Sequence, residues 1–293
     1  MPRGLDHIAH AVRDLDKAAD FYRRMGFTVG ARNRHPWGTH NCIVQFPGFF
    51  IEILTLAEPD KLGDDGFSKL FGKFNGDFLK EQEGFSLLLL ESRDAAEDER
   101  AFREHGIAAS GVMRFEREGK RPDGSAVKLA FSLVFACDPL VSKAAFAVSH
   151  NHFPENFWNP AFQKHANGAT GIAGVVFVAE NPTDHHIFMS AFAGERELQS
   201  TSSGISIVTP RGEIQIMDPT AYRRHFGIEP LNVNEGMRLC ALRLIAPDIG
   251  HVEASLKAGG APYSAHMGRI VVEPALAMGA TLVFEQPPAT SGR

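Results

Sequence analysis

"LDHIAHAVRDLDKAADFYRRMGF" (residues 5–27) sets two histidines in an apolar run and follows it at once with a helical pattern. Across residues 5–12 side chains alternate between the two faces of a strand. His7, Ala9 and Ala11 share one face, and Ile8, His10 and Val12 share the other. Asp14 is placed to cap a helix, and Leu15, Ala18, Ala19, Tyr22 and Met25 recur at helical spacing until Gly26 ends it. That helix should cover the Ile8 and Val12 face, which makes His10 a hydrogen-bonded core histidine and turns His7 the other way. Downstream, "NCIVQF" (41–46), a Pro47-Gly48 turn and "FFIEILTL" (49–56) form a hairpin pattern with Glu52 inside an apolar strand.

The same order returns three more times. The second copy runs from "GFSLLLLES" (84–92) through a helical segment to "AAFAVSH" (144–150). The third runs from "GIAGVVFVAE" (171–180) to "GEIQIMD" (212–218), and the fourth from "RLCALRLIAP" (238–247) to "GATLVFEQP" (279–287). One copy is too small to hide its own sheet, so the copies should pair into curved sheets. The expected fold class is α+β, four βαβββ modules forming two domains at 1–150 and 169–293, with a connector at 151–168. Residues 65–81 carry Phe67, Leu70, Phe71, Phe74 and Phe78 on one helical stripe, read as a cover helix filling core at the edge of the first pair in preference to a lid. The connector aromatics Phe153, Phe157, Trp158 and Phe162 are expected between the halves.

Bulk properties remove several functional classes. The 293 residues are 44% hydrophobic and 22% charged with a net charge of −5 and no basic block, which argues against nucleic acid and for a small-molecule partner. No stretch approaches the roughly twenty apolar residues of a membrane span, and the first residues lack a signal-peptide pattern, so a cytoplasmic location is expected. Three widely spaced cysteines suggest neither a disulfide framework nor a thiolate zinc site. The 23 Phe against 3 Tyr and 2 Trp suit a deep core or an apolar cavity.

A βαβββ unit opening on "DHIAHAVRDLDKAADFYRRMGF" and closing on "GFFIEIL" resembles the vicinal oxygen chelate superfamily, which includes glyoxalase I, fosfomycin- and bleomycin-resistance proteins and extradiol dioxygenases. Within it, "RHPWGTHN" (34–41), "HFPENFW" (152–158) and "HANGATGI" (165–172) are similar to glyoxalase-like domain proteins. The resemblance implies a divalent metal (zinc, nickel, manganese or iron) held in the cup of a module pair by residues of first and last strands. His7, seven residues before Asp14, and Glu52 stand at those positions in the first module. In the second module the count reaches Leu87 or Ser86, and the last strand offers Val148 or, two residues on, His150, the expected third ligand. The second pair offers Ala173, Gln215, Cys240 and Val283, which cannot make a usual metal site. Four-module dioxygenases of the superfamily keep their iron in that pair, so ring cleavage ranks third among the implied functions.

An ionised Glu52 in an apolar strand costs several kcal/mol unless a metal or an arginine accompanies it, which makes it the most informative residue. The expected roles are His7, Glu52 and His150 as metal ligands, Glu52 and His40 in catalysis, and Asn41 and Trp37 in substrate contact. For His40 and Asn41 a turn-stabilising role is an equal alternative. His35 reads as loop structure, His165 as a cap of the domain junction, and His185 and His186 as surface residues. "RPDGS" (121–125) reads as a hairpin turn. The leading expectation is a metal-dependent glyoxalase-like lyase or isomerase acting on a small oxygenated compound. Its alternative is a non-catalytic binding protein of the bleomycin-resistance type, and a homodimer is compatible with either.

Overall fold

Two curled sheets of eight strands each make up the computed structural model, which describes residues 1–120 and 124–287, so the tip of the turn expected at 121–125 lies outside the described residues. The first sheet contains β1 (Leu5–Ala11), β2 (Asn33–Arg34), β3 (Thr39–Phe46), β4 (Phe49–Leu56), β5 (Gly84–Glu91), β6 (Met113–Lys120), β7 (Ala126–Ala136) and β8 (Ala145–Asn151). The second contains β9 (Gly171–Val178), β10 (Gln199–Thr201), β11 (Gly204–Val208), β12 (Glu213–Met217), β13 (Arg238–Ile245), β14 (Ser264–His266), β15 (Arg269–Val272) and β16 (Thr281–Glu285). Strand orders are β2, β3, β4, β1, β5, β8, β7, β6 and β10, β11, β12, β9, β13, β16, β15, β14. In each module the last strand lies parallel beside the first, and two modules join through antiparallel first strands, β1 with β5 and β9 with β13.

Helices α1 (Leu15–Arg24), α3 (Ala95–Glu104), α5 (His186–Ala193) and α7 (Ile249–Ala258) follow the first strands, while α2 (Phe74–Glu81), α4 (Pro154–Phe157) and α6 (Pro219–Phe226) lie between modules. Asp14, Asp94 and Asp248 cap α1, α3 and α7 by accepting backbone N–H bonds, each worth about 1 kcal/mol. No described helix is long and apolar enough to cross a membrane.

The helix faces of the two sheets meet and share one core, in which Phe146 stacks on Phe177 and Phe27 on Phe284, with ring centroids 5.6 and 5.9 Å apart. The halves approach backbone to backbone at Gly279, whose φ of 79° and contact with the Glu83 carbonyl leave no room for a side chain. His10 sits in this core as its parity requires. Its Nε2 donates to Met278 O (3.0 Å), its Nδ1 accepts from Tyr22 OH (2.9 Å), and burial pushes its pKa down to about 4. His165, expected to cap the domain junction, ties the connector to the first module, donating to Gln45 O and accepting from the Thr28 N–H.

Two expectations change. The connector aromatics do not fill the space between the halves, because that space is already closed by helices and phenylalanines. Phe157 instead packs on Phe50 and Phe131 at the mouth of the first cup, and Gln45 pins the segment by donating to Phe157 O and accepting from Asn159 N. His185 is not at the surface: the 3-10 turn before α5 drops it to 5% exposure, 2.8 Å from Asp138 of the other half. The 65–81 segment does cover the first cup. Phe67 leads into a π-helical turn, Ser68–Lys73, which carries Phe71, and both rings enter the cup ahead of α2.

Candidate active site

Each of the four first strands carries one unpaired residue at the same place. The β1 and β5 ladder skips Asp6 and Ser86, and the β9 and β13 ladder skips Ala173 and Cys240. A bulge re-aims the side chains beside it. In β1 the consequence is chemical: Asp6 Oδ2 lies 2.5 Å from His7 Nδ1, and the His7 ring stacks on Phe50 at 4.2 Å. With Nδ1 occupied, His7 turns its Nε2 to the cavity. That nitrogen accepts a proton when the ring is neutral and donates one when it is charged.

Glu52 faces the same cavity from β4 and is 4% exposed. Burial raises its pKa against the opposing influence of His7, Asn41 and Arg117. A hydrogen-bond chain leads to it from the cup mouth. Arg117 Nη1 donates to Asn33 Oδ1 (3.4 Å), Asn33 Nδ2 to Asn41 Oδ1 (3.0 Å), and Asn41 Nδ2 to Glu52 Oε1 (2.5 Å). His35, expected as loop structure, is a wall of the site. Its Nδ1 pairs with Thr39 Oγ1 (2.8 Å), its Nε2 is 3.9 Å from Glu52 Oε1, and burial foremost holds its pKa down to about 3. Trp37 lies between the His35 and Phe67 rings, at 4.8 and 4.6 Å.

These groups enclose an inner cavity of about 50 Å³. An outer cleft of about 360 Å³ adjoins it, bounded by Gln45, Trp158 and Phe162 among others, and Ile43, Arg117 and Phe157 border both spaces.

The structure thus brings together His7, Glu52, Asn41 and Trp37. It does not bring in His40 or His150. His40 has the parity of Cys42 and Val44, which face the helix core, and its Nε2 meets Glu58 Oε1 at 3.0 Å. His150 likewise follows Phe146 and Val148 onto the helix side and stacks on His152, while Ser149 lines the cavity. Register shows why. Ala9 pairs with Glu52 and its counterpart Leu89 pairs with Ala147, so Ala147 is the equivalent of Glu52, and Leu87 that of His7. Asp6, Asn33 and Arg117 were missed. Asp6 enters through a bulge, Asn33 lies in a turn-rich stretch, and Arg117 is one arginine in a charged hairpin, so no sequence period marks any of them.

The same register identifies Gly174, Gln215, Ala241 and Val283 as the equivalent set in the second cup, one residue past the expected Ala173 and Cys240; Gly174 and Ala241 stand seven residues before the helix-capping Asn181 and Asp248, as His7 stands before Asp14. That cup is filled from one side by Tyr222 and Phe226 of α6. Across it Arg243 bonds Glu213, Gln215 and Glu285, and Arg269 also reaches Glu285.

The implied metal can be tested on the donors present. His7 and Glu52 occupy two of the four positions in the first cup, whereas Leu87 and Ala147 supply none. Among the described residues no three His, Cys, Asp or Glu side chains gather so as to hold a metal ion. A resident metal with the usual three protein ligands therefore does not fit these residues.

Residues 5–191 match the family model described as "Glyoxalase-like domain", which spans the whole first sheet and the opening of the third module. No curated protein matches the chain. Similar solved structures include a hypothetical protein from Staphylococcus aureus (TM-score 0.69, 12% identity, 97% of this chain and 100% of that one). A mutant of 4-hydroxymandelate synthase from Streptomyces coelicolor gives 0.62 and 11%, covering 100% of this chain and 94% of the other. A fusion of a xylose isomerase-like TIM barrel with 4-hydroxyphenylpyruvate dioxygenase gives 0.56 and 12%, covering 100% of this chain and 50% of the other. At such identities the structural likeness speaks for the fold alone. With the repeated βαβββ modules and the family match over most of its length, the chain belongs to the glyoxalase-like domain family of the vicinal oxygen chelate superfamily.

Proposed function

We propose that the first cup is an acid–base active site of lyase or isomerase type acting on a small oxygenated organic compound. One observation carries this reading: a buried carboxylate, Glu52, is held above its ordinary pKa inside a cavity that it shares with His7. Burial that raises a carboxyl toward neutrality is what a general base or acid requires. Glu52 takes the proton from a carbon beside a carbonyl and returns it. His7, in its charged form and with Nδ1–H held by Asp6, donates from Nε2 to the carbonyl oxygen as negative charge develops there. Asn41 and the stack of His35, Trp37 and Phe67 orient the substrate and exclude water. No step runs through a metal, since the donor set falls short of one.

The aromatic lining favours a second reading, a binding protein that sequesters an apolar compound. Incubating the protein in deuterated water with a panel of small carbonyl compounds, followed by proton NMR, separates the two. The expected result is carbon-bound deuterium in at least one compound, with the rate reduced about 10²- to 10⁴-fold in Glu52→Gln. Saturable binding without exchange, equal in wild type and Glu52→Gln, would leave only the sequestering role.

A further inference from the structure

We propose that Arg117 is an anion-recognition group and that the substrate of the first cup is an organic monocarboxylate with an apolar, ring-sized body. This deepens the acid–base reading and rests on it for the reaction, though not for the binding.

Arg117 stands at the throat, bordering both the inner cavity and the outer cleft. It is half-buried, and among the described residues it has no ion-pair partner; its one hydrogen bond is the 3.4 Å contact with Asn33. A partly desolvated guanidinium with no carboxylate in contact, Glu52 acting on it only from a longer range, is costly, and such a group attracts an anion that fits its fork. The arginine of the other cup shows the contrast. Arg243 is saturated by Glu213, Gln215 and Glu285, so nothing remains for a ligand.

The rest of the ligand follows from the walls. Trp37, Phe67, Phe71, Phe115 and Phe131 surround the inner space, whose volume of about 50 Å³ takes only the edge of a flat apolar body, so a ring extends past the throat into the outer cleft of about 360 Å³. Charge favours a monoanion over a dianion. One guanidinium faces a site that also holds Glu52, and a phosphate dianion would leave excess negative charge beside that carboxyl. The chain through Asn33 and Asn41 ties the two ends together, so an acid held by Arg117 is presented within reach of Glu52.

The chain has two tryptophans, Trp37 at the inner cavity and Trp158 at the outer cleft, so selectively excited tryptophan fluorescence reports on these two spaces. Titrations of the full chain with phenylacetate, benzoate and hexanoate, with their amides and with phenyl phosphate, test the proposal, with calorimetry as a second readout. In wild type at least one acid is expected to bind about tenfold or more tighter than its amide. In Arg117→Gln the ratio falls to near one while amide affinity is kept, and Arg117→Lys restores part of it. Equal binding of acids and amides by wild type, a ratio that survives Arg117→Gln, preference for phenyl phosphate, or no saturable binding of any acid would each overturn it. An intact acid preference without proton exchange would defeat the catalytic reading alone, and exchange on neutral compounds without acid preference would defeat this one alone.

Discussion

The two cups share strand order, register and even the position of the bulge, yet their buried charges behave in opposite ways. In the first, Glu52 lies among aromatic rings and burial wins, so its carboxyl is held above the ordinary value. In the second, burial also acts against Glu285, but Arg243 and Arg269 outweigh it and its carboxyl is held below. One cup keeps a carboxyl whose burial outweighs its partners, and the other spans the same space with an ion-pair network. The backbone is thus indifferent to function. Side chains at a few register positions decide whether a cup is left as a cavity or braced by ion pairs.

The largest effect is expected from breaking the ion-pair network. Arg243→Ala leaves Glu213 without its arginine and the buried Glu285 with Arg269 alone, and should cost about 3 kcal/mol of unfolding free energy, measured by urea denaturation. Ligand titrations of the first cup should not change, and weakened binding there would show that the cups are coupled.

A smaller effect, opposite in sign, should follow from Glu52→Gln. Because the folded-state pKa of Glu52 is raised, its contribution is most favourable below the unfolded value near 4.5 and is lost as pH rises through the folded pKa. The variant should therefore unfold at a higher temperature than wild type at pH 7, and the gap should close as pH falls below 4.5. Glu285→Gln should behave inversely. The depressed folded pKa means that its stabilisation is full above 4.5 and disappears as pH falls through the folded value, so this variant should be less stable at pH 7 and converge with wild type in acid. Parallel shifts in both variants would refute the contrast between the cups.

The smallest effect tests the placement of the expected third ligand. His150→Ala should change stability by no more than about 0.5 kcal/mol and leave acid binding and proton exchange unaltered, because the ring lies on the far side of β8 from the cavity. Loss of binding or exchange in that variant would return His150 to the site.

How far the site could be read depended on the kind of information each residue carried. His7 and Glu52 were legible because a polar group in an apolar strand is costly and the period of two tells which face it takes. The same rule applied to β3 admits only one of His40 and Asn41 to the cup, and the structure gives the place to Asn41. His150 was misplaced through one residue of register in β8, which is enough to exchange the two faces of a strand. The count to Ala173 and Cys240 was one residue off, although the seven-residue spacing from His7 to the Asp14 cap, applied to the caps Asn181 and Asp248, leads to Gly174 and Ala241.

Local physics in the sequence determined the elements: the alternation of β1, the aspartate caps of α1, α3 and α7, the fourfold repeat, and hence the paired βαβββ modules of the superfamily. It also determined that a buried carboxylate and a histidine would face one cup. Only tertiary structure decided that the helix faces of both sheets fuse into one core, that the connector rings close the first cup instead of joining the halves, and that Asp6, His35, Asn33 and Arg117 complete the constellation. The physical reason is that periodicity reports which face a residue takes within its own element, whereas these contacts join turns, bulges and hairpins far apart in the chain, whose meeting is set by how whole sheets pack.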